Sequence, residues 1–275
     1  AKAIGYGIAN EGDVWDFYAQ KRVTDKCVPV GVVLTIAAAG SEMSNSCVIT
    51  NEEGWYKKAL DTDLARPKFA IMNPEITYTL PDYQTQCGCA DIMMHTMERY
   101  FVLEDTMEIT DKIAQDVMKN VMKYAKILKK DPENYEARAE IMWCGSLSHN
   151  GLTGCGTCGG DWATHLIEHE LGGMFDVAHG AGLAAVWGSW ARYVMDEKPE
   201  RFAQFAVDVM GVEESDDVKS TALKGVEAVE EFYRMIEMPT NMKELGIDPT
   251  DEQIKDMAMK ATNHDTQQLG AFKKL

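Results

Sequence analysis

The sequence predicts two parts of different texture: a short mixed α/β segment over residues 1–78 and an all-helical domain over residues 79–275. Three observations carry this. Short apolar, β-branched runs occur three times before residue 73 and not with that quality again. From Leu80 onward, apolar residues recur at helical spacing. The α/β part is also too sparse to complete a sheet by itself, so it reads as the remnant of a larger α/β domain.

In chain order, Glu11 and Asp13 suit the N-terminus of a helix over 14–21. The run Val30-Gly31-Val32-Val33-Leu34-Thr35-Ile36 suits a buried strand. A second strand is expected over 47–50 and a third over 68–72, stopped by Asn73-Pro74. Pro81-Asp82 opens a helix reaching about Tyr100, proline being tolerated in a first turn. The spacing of Ile113, Val117, Val121, Tyr124 and Leu128 predicts a helix over 110–130. Pro132-Glu133 starts another, running to about Ser148. Asp161 is the expected N-cap of a helix carrying His165 and His169. Further helices are expected over 181–195, 199–210, 216–236 and 251–262. The 17 methionines, among them Met93, Met94, Met97, Met118 and Met122, fall at core positions of these helices.

A chain of 275 residues can bury a large core in one or two domains. Its 45% hydrophobic and 26% charged residues are ordinary for a soluble globular protein. No apolar run is long enough for a membrane span, and no basic patch leads into an apolar stretch, so neither a membrane nor export is expected. Seven cysteines, an odd number, do not look like a disulfide scaffold and point to a reducing cytoplasm. The net charge of −17 would repel nucleic acid, and no basic stripe offsets it.

The chemistry concentrates in two blocks, which hold four of the six histidines. Asp91 and His95 are four residues apart and share a helix face; His165 and His169 repeat the spacing, and His179 follows a glycine-containing turn. One carboxylate with up to three imidazoles is a ligand set for iron or zinc, with a coordination position left open for substrate. The plainer alternative for Asp91 and His95 alone is a helix acid beside a buried, hydrogen-bonded histidine, and for that pair alone it is favoured about two to one. The second block reverses the balance. The small-residue loop Ala38-Ala39-Gly40-Ser41 after the first strand is where α/β proteins contact cofactors, although such turns are common. Lys57 and Lys58 are ordinarily solvated residues. Cys87/Cys89 and Cys155/Cys158 read as small residues in helix starts and turns; a zinc or redox role has a weight of roughly one in ten. His149 and His264 receive no role.

Together the stretches 34–42, Asn73-Pro74-Glu75, Leu80-Pro81, Asp91…His95…Glu98, Asn150-Gly151-Leu152, Asp161-Trp162-Ala163-Thr164-His165, His169-Glu170-Leu171-Gly172 and Ala178-His179-Gly180 resemble the iron-containing (group III) alcohol dehydrogenases, especially their NADPH-dependent butanol and aldehyde dehydrogenase branch. The resemblance implies a Rossmann-like nucleotide domain, here a remnant, followed by an all-α metal-binding domain in a dehydroquinate synthase-like architecture. It implies Asp91, His95, His165 and His179 as metal ligands and His169 as the non-ligand histidine beside substrate and nicotinamide. It places Thr35, Gly40, Ser41 and Lys57 on the cofactor side. It implies hydride transfer between NADP(H), or NAD(H), and a small primary alcohol or aldehyde, in a possible homodimer. Two departures stand out. The family's Gly-Gly-Gly-Ser phosphate loop is absent, as expected of an N-terminally truncated relative. Ile36-Ala37-Ala38-Ala39 also replaces threonine and proline. Two rival expectations follow: a metal-binding fragment without turnover, and a non-redox metal lyase or cyclase, which needs phosphate-binding arginines near the metal.

Overall fold

The computed structural model describes residues 1–104 and 108–275. The α/β part holds two separate two-stranded sheets rather than one. Strand β1 (Gly31–Val33) pairs in parallel with β4 (Phe69–Ile71), Gly31 opposite Phe69. Strand β2 (Ser46–Asn51) pairs antiparallel with β3 (Tyr56–Asp61). The expected buried strand over 30–36 is therefore corrected: it shrinks to three residues, and Val33, Phe69 and Ile71 are exposed. A parallel pair is buried when helices cover both faces, and here its apolar side chains face solvent. Strand β3 was not expected, since Lys57-Lys58 interrupts its apolar pattern.

The helix expected over 14–21 is one turn, α2 (Trp15–Tyr18), with Asp13 accepting from the Trp15 amide at 2.9 Å. Helix α1 (Lys2–Ala9) was missed because two glycines in KAIGYGIA give it poor helix propensity. Packing holds it instead: Tyr6 is buried in a small core with Phe17, Tyr18 and Ala65.

The helical domain is built around α3 (Asp82–Tyr100), whose residues are all buried from Thr85 onward. It packs against α4 (Glu108–Leu128), α5 (Tyr135–His149) and α7 (His179–Val194). Met93, Met94, Met97 and Met118 fill this core as expected. Helix α5 begins at Tyr135 because the Asn134 side chain caps it, accepting from the Ala137 amide at 3.0 Å. Helix α6 (Ala163–Phe175) packs on α7 and on β3. Asp161 is not its N-cap; that position is Trp162, in the left-handed region. The Asp161 carboxylate still accepts from the Ala163 amide, and also from the amides of Ala271 and Phe272, tying the C-terminal segment to the start of α6. Helices α8 (Pro199–Asp208) and α9 (Val218–Met235) pack as a pair, and α10 (Asp251–Ala261), opened by a Thr250/Gln253 capping box, lies on α6. Buried Arg201 grips Asp111 through two contacts of 2.6 and 2.7 Å and donates to the Tyr100 carbonyl, fixing α8 to α3 and α4. Among the described residues no strand follows β4, and no helix is long and apolar enough to cross a membrane.

Candidate metal centre

Three helices bring the predicted ligands together. Asp91 and His95 lie one turn apart on α3, His165 stands in the first turn of α6, and His179 is the first residue of α7. The next residue, Gly180, makes this approach possible: a Cβ there would lie 2.0 Å from the Cys87 carbonyl oxygen, so only glycine lets α7 start against α3 one turn before Asp91. Asp91 Oδ1 then lies 3.4 Å from His95 Nδ1, 3.8 Å from His165 Nε2 and 3.7 Å from His179 Nε2. Donors about 2.1 Å from a tetrahedral ion are about 3.4 Å from one another, close to this spacing.

The polar atoms of α3 and its neighbours show why a cation fits. Thr96, Glu98 and Arg99 are buried, and each makes hydrogen bonds. Asp91 Oδ1, His95 Nδ1 and His165 Nε2 are also buried, yet have no hydrogen-bond partner among the described residues. Unsatisfied buried acceptors cost about 1–3 kcal/mol each, more for a charged one. Their ligand atoms lie within 4.8 Å of one another, so a single divalent ion would satisfy all three.

Two buried carboxylates orient the imidazoles from behind. Glu98 Oε1 lies 3.0 Å from His165 Nδ1 and accepts from the His165 amide, while Oε2 accepts from the Trp162 amide at 2.7 Å. Glu168 Oε2 contacts His179 Nδ1 and accepts from Lys57 Nζ at 3.2 Å. With each Nδ1 donating to a carboxylate, the Nε2 lone pairs of His165 and His179 face the site of Asp91, an arrangement that fixes tautomers in metal sites. Lysine only donates, so its 3.5 Å approach to His179 Nδ1 is a contact rather than a second bond.

Electrostatics separate the histidines. Burial opposes charge on His165, but Asp91 and Glu98 outweigh it and lift this imidazole to about 9. Burial, with cationic or imidazole neighbours, holds His95, His149 and His169 well below the ordinary histidine value. Burial also raises Glu170, beside the site on α6, to about 7.

A cleft of about 700 Å³ opens onto this cluster. Ser41, Lys57, His165, His169 and His179 line it. Thr35 is exposed and Gly40 buried, and neither is on the cleft wall. Gly40 instead seats its loop on α5: its φ is +55°, and a Cβ would meet the Gly145 carbonyl at 2.6 Å. His169 lies 5.8 Å, ring to ring, from His179 and belongs with Glu168 and His179 rather than with the Asp91 group. Sequence reasoning gave no role to Glu98, Glu168 or His149. The first two were signalled by their place one helical turn beyond His95 and His165. His149 is corrected from no partner to a neighbour of the site: its ring lies 4.0 Å from that of His95, and Arg99 Nη2 lies 3.1 Å from its Nδ1. His264 is exposed. The seven cysteines are unpaired, and none joins a ligand group among the described residues.

Residues 1–74 match the profile of iron-containing alcohol dehydrogenases, and residues 85–275 that of the C-terminal domain of the Fe-containing alcohol dehydrogenase family. The chain is 33% identical over 274 residues to NADH-dependent butanol dehydrogenase A of Clostridium acetobutylicum, covering 99% of this chain and 70% of that protein. It is 33% identical over 244 residues to the NADPH-dependent aldehyde reductase YqhD of Escherichia coli, covering 88% of this chain and 62% of that one. The crystal structure of NADH-dependent butanol dehydrogenase A from Thermotoga maritima superposes with a TM-score of 0.95 at 35% identity, over 100% of this chain and 70% of that one.

Proposed function

The chain belongs to the iron-containing alcohol dehydrogenase family, and we propose that Asp91, His95, His165 and His179 hold the divalent metal of an NAD(P)-dependent alcohol dehydrogenase and aldehyde reductase. The observation that carries this reading is the set of buried, partnerless donor atoms on Asp91, His95 and His165, with His179 Nε2 beside them. The ligand chemistry accommodates iron or zinc. When bound, the metal supplies Lewis acidity to the oxygen of a small alcohol or aldehyde, and the nicotinamide gives or takes the hydride.

The residues of the chain do the rest. Asp91 provides the negative charge that three neutral imidazoles lack. Glu98 and Glu168 retain the Nδ1 protons of His165 and His179, so that both rings present lone pairs to the site. Lys57 offsets the buried charge of Glu168 and stands on the cleft wall with Ser41, where both meet the cofactor. Thr35 and Gly40 shape the loop that carries Ser41. His169, kept uncharged by burial and by His179 and Lys57, takes up a proton at a ring nitrogen when alcohol is oxidised and returns it when aldehyde is reduced.

A cyclase or lyase acting on a phosphorylated substrate needs a free arginine in the cleft. The arginine on the cleft wall, Arg99, is committed to the carbonyls of His95 and Ser148 and to His149. A homodimer and a cytoplasmic location remain part of the proposal; sedimentation and cell fractionation test them.

The deciding experiment loads the purified chain with ferrous ion or zinc, measures metal by elemental analysis, titrates NADH and NADPH by fluorescence, and assays butanal reduction. One metal per chain, cofactor binding and turnover are expected, with metal and turnover both lost in Asp91→Ala. Full metal content and activity in that variant would refute the ligand assignment. Metal and cofactor binding without turnover would favour a binding fragment.

A further inference from the structure

The mechanism above leaves His149, on the cleft wall beside the ligand group, without a task. His149 ends α5, lines the cleft and packs against His95, ring centroids 4.0 Å apart and tilted by 39°. It also lies edge-on to Trp162 at 5.8 Å. Its Nδ1 is 3.1 Å from Arg99 Nη2. Arg99 is buried, and its other terminal nitrogen donates to the carbonyls of His95 and Ser148 at 3.0 Å each, so the guanidinium is held in place. A guanidinium has five donors and no acceptor. The His149 Nδ1 facing it must therefore accept, and the single ring proton sits on Nε2. His149 is not part of the ligand group around Asp91. It is a fixed hydrogen-bond donor next to that group, and Nε2 is the polar atom it offers to the cleft.

We infer that His149 is a specificity-determining residue: its Nε2–H donates to a second oxygen on the substrate, so that the site favours an aldehyde or alcohol bearing a neighbouring hydroxyl or carbonyl over the plain alkyl compound. A hydrogen bond places the acceptor about 3 Å from Nε2, and His149 is in ring contact with His95, so an oxygen on the carbon next to the reacting one is the substituent to test. A site built to donate to such an oxygen discriminates against a substrate lacking it, because the donor is then desolvated without a partner. The inference rests on the dehydrogenase reading.

The test compares 2-hydroxypropanal with propanal on the metal-loaded full chain, in wild type, His149→Leu and His149→Gln. The hydroxyaldehyde-to-aldehyde ratio of kcat/KM is expected to fall about tenfold in His149→Leu. The amide N–H of His149→Gln is expected to restore part of it. An unchanged ratio, or an effect confined to the KM for nicotinamide cofactor, overturns the inference while leaving the dehydrogenase reading intact. Absence of turnover on both aldehydes in wild type overturns that reading and this inference with it. Independently of turnover, nitrogen NMR of histidine-labelled chain is expected to show His149 as the Nε2–H tautomer, and the signal of an Nδ1–H tautomer overturns the inference. Metal stoichiometry is expected to match wild type in both variants, and loss of metal in both overturns the assignment to substrate.

Discussion

Replacing Glu98 with glutamine tests the support behind the metal centre without touching a ligand. Glu98 accepts from three groups: the His165 amide and Nδ1 at Oε1, both at 3.0 Å, and the Trp162 amide at Oε2, at 2.7 Å. Glutamine has one acceptor oxygen, and its amino group faces whichever donors remain. Keeping the oxygen at the Oε1 position retains two of the three bonds and leaves the Trp162 amide opposed by a donor. That costs about 1–3 kcal/mol of stability. The loss of charge weakens the hold on the His165 Nδ1 proton and so its Nε2 as a ligand. Changes in such supporting groups cost about 10–100-fold in metal affinity, or about 1.4–2.8 kcal/mol. The assay is competition for zinc against a chromogenic chelator, with Glu133→Gln, an exposed position, as the control. Affinity within twofold of wild type in Glu98→Gln would refute the claim that this carboxylate orients a ligand.

Other consequences can be measured directly. For the metal-free chain, His165 has a folded value raised from 6.5 to about 9, so its stabilising contribution is complete below 6.5 and is lost as pH rises through about 9. His95, His149 and His169 are lowered, so theirs is present above 6.5 and lost as pH falls below it. Thermal unfolding should therefore show maximal stability near neutral pH and a decline on both sides; a monotonic profile would contradict it. Metal must displace the proton on His165, so apparent affinity should rise with pH up to about 9. Glu170 is raised from 4.5 to about 7, so its folded state prefers the proton and loses stability as pH rises through that window. Glu170→Gln should raise stability at pH 8, by at most about 3 kcal/mol and read as a higher Tm, and have little effect at pH 4; an unchanged Tm at pH 8 contradicts the burial argument. Gly180→Ala drives a methyl group into the Cys87 carbonyl. It should cost about 3 kcal/mol or more and displace His179, read as lower Tm and weaker metal binding.

Much of this was legible because the helical domain obeys local rules. The period of α4 and the ordered blocks around Asp91, His165 and His179 are written in consecutive residues. What escaped depends on partners distant in sequence. Helix α1 carries two glycines and forms because Tyr6 finds Phe17 and Tyr18. Strand β3 exists through its pairing with β2 and its packing on α6, which also brings Lys57 to Glu168 over 111 residues of chain. Asp161 looked like a cap because its type suits one, but its carboxylate is shared with amides of the C-terminal segment. His149 had no visible partner because its neighbours, His95 and Arg99, are about 50 residues away on another helix.

Anomalous diffraction at the metal absorption edge, from crystals of the metal-loaded chain, tests the account most directly. A single peak is predicted within bonding distance of Asp91 Oδ1 and one ring nitrogen each of His95, His165 and His179. A peak held by Glu168 and His169, or at Cys155 and Cys158, with those four side chains left empty, would contradict it.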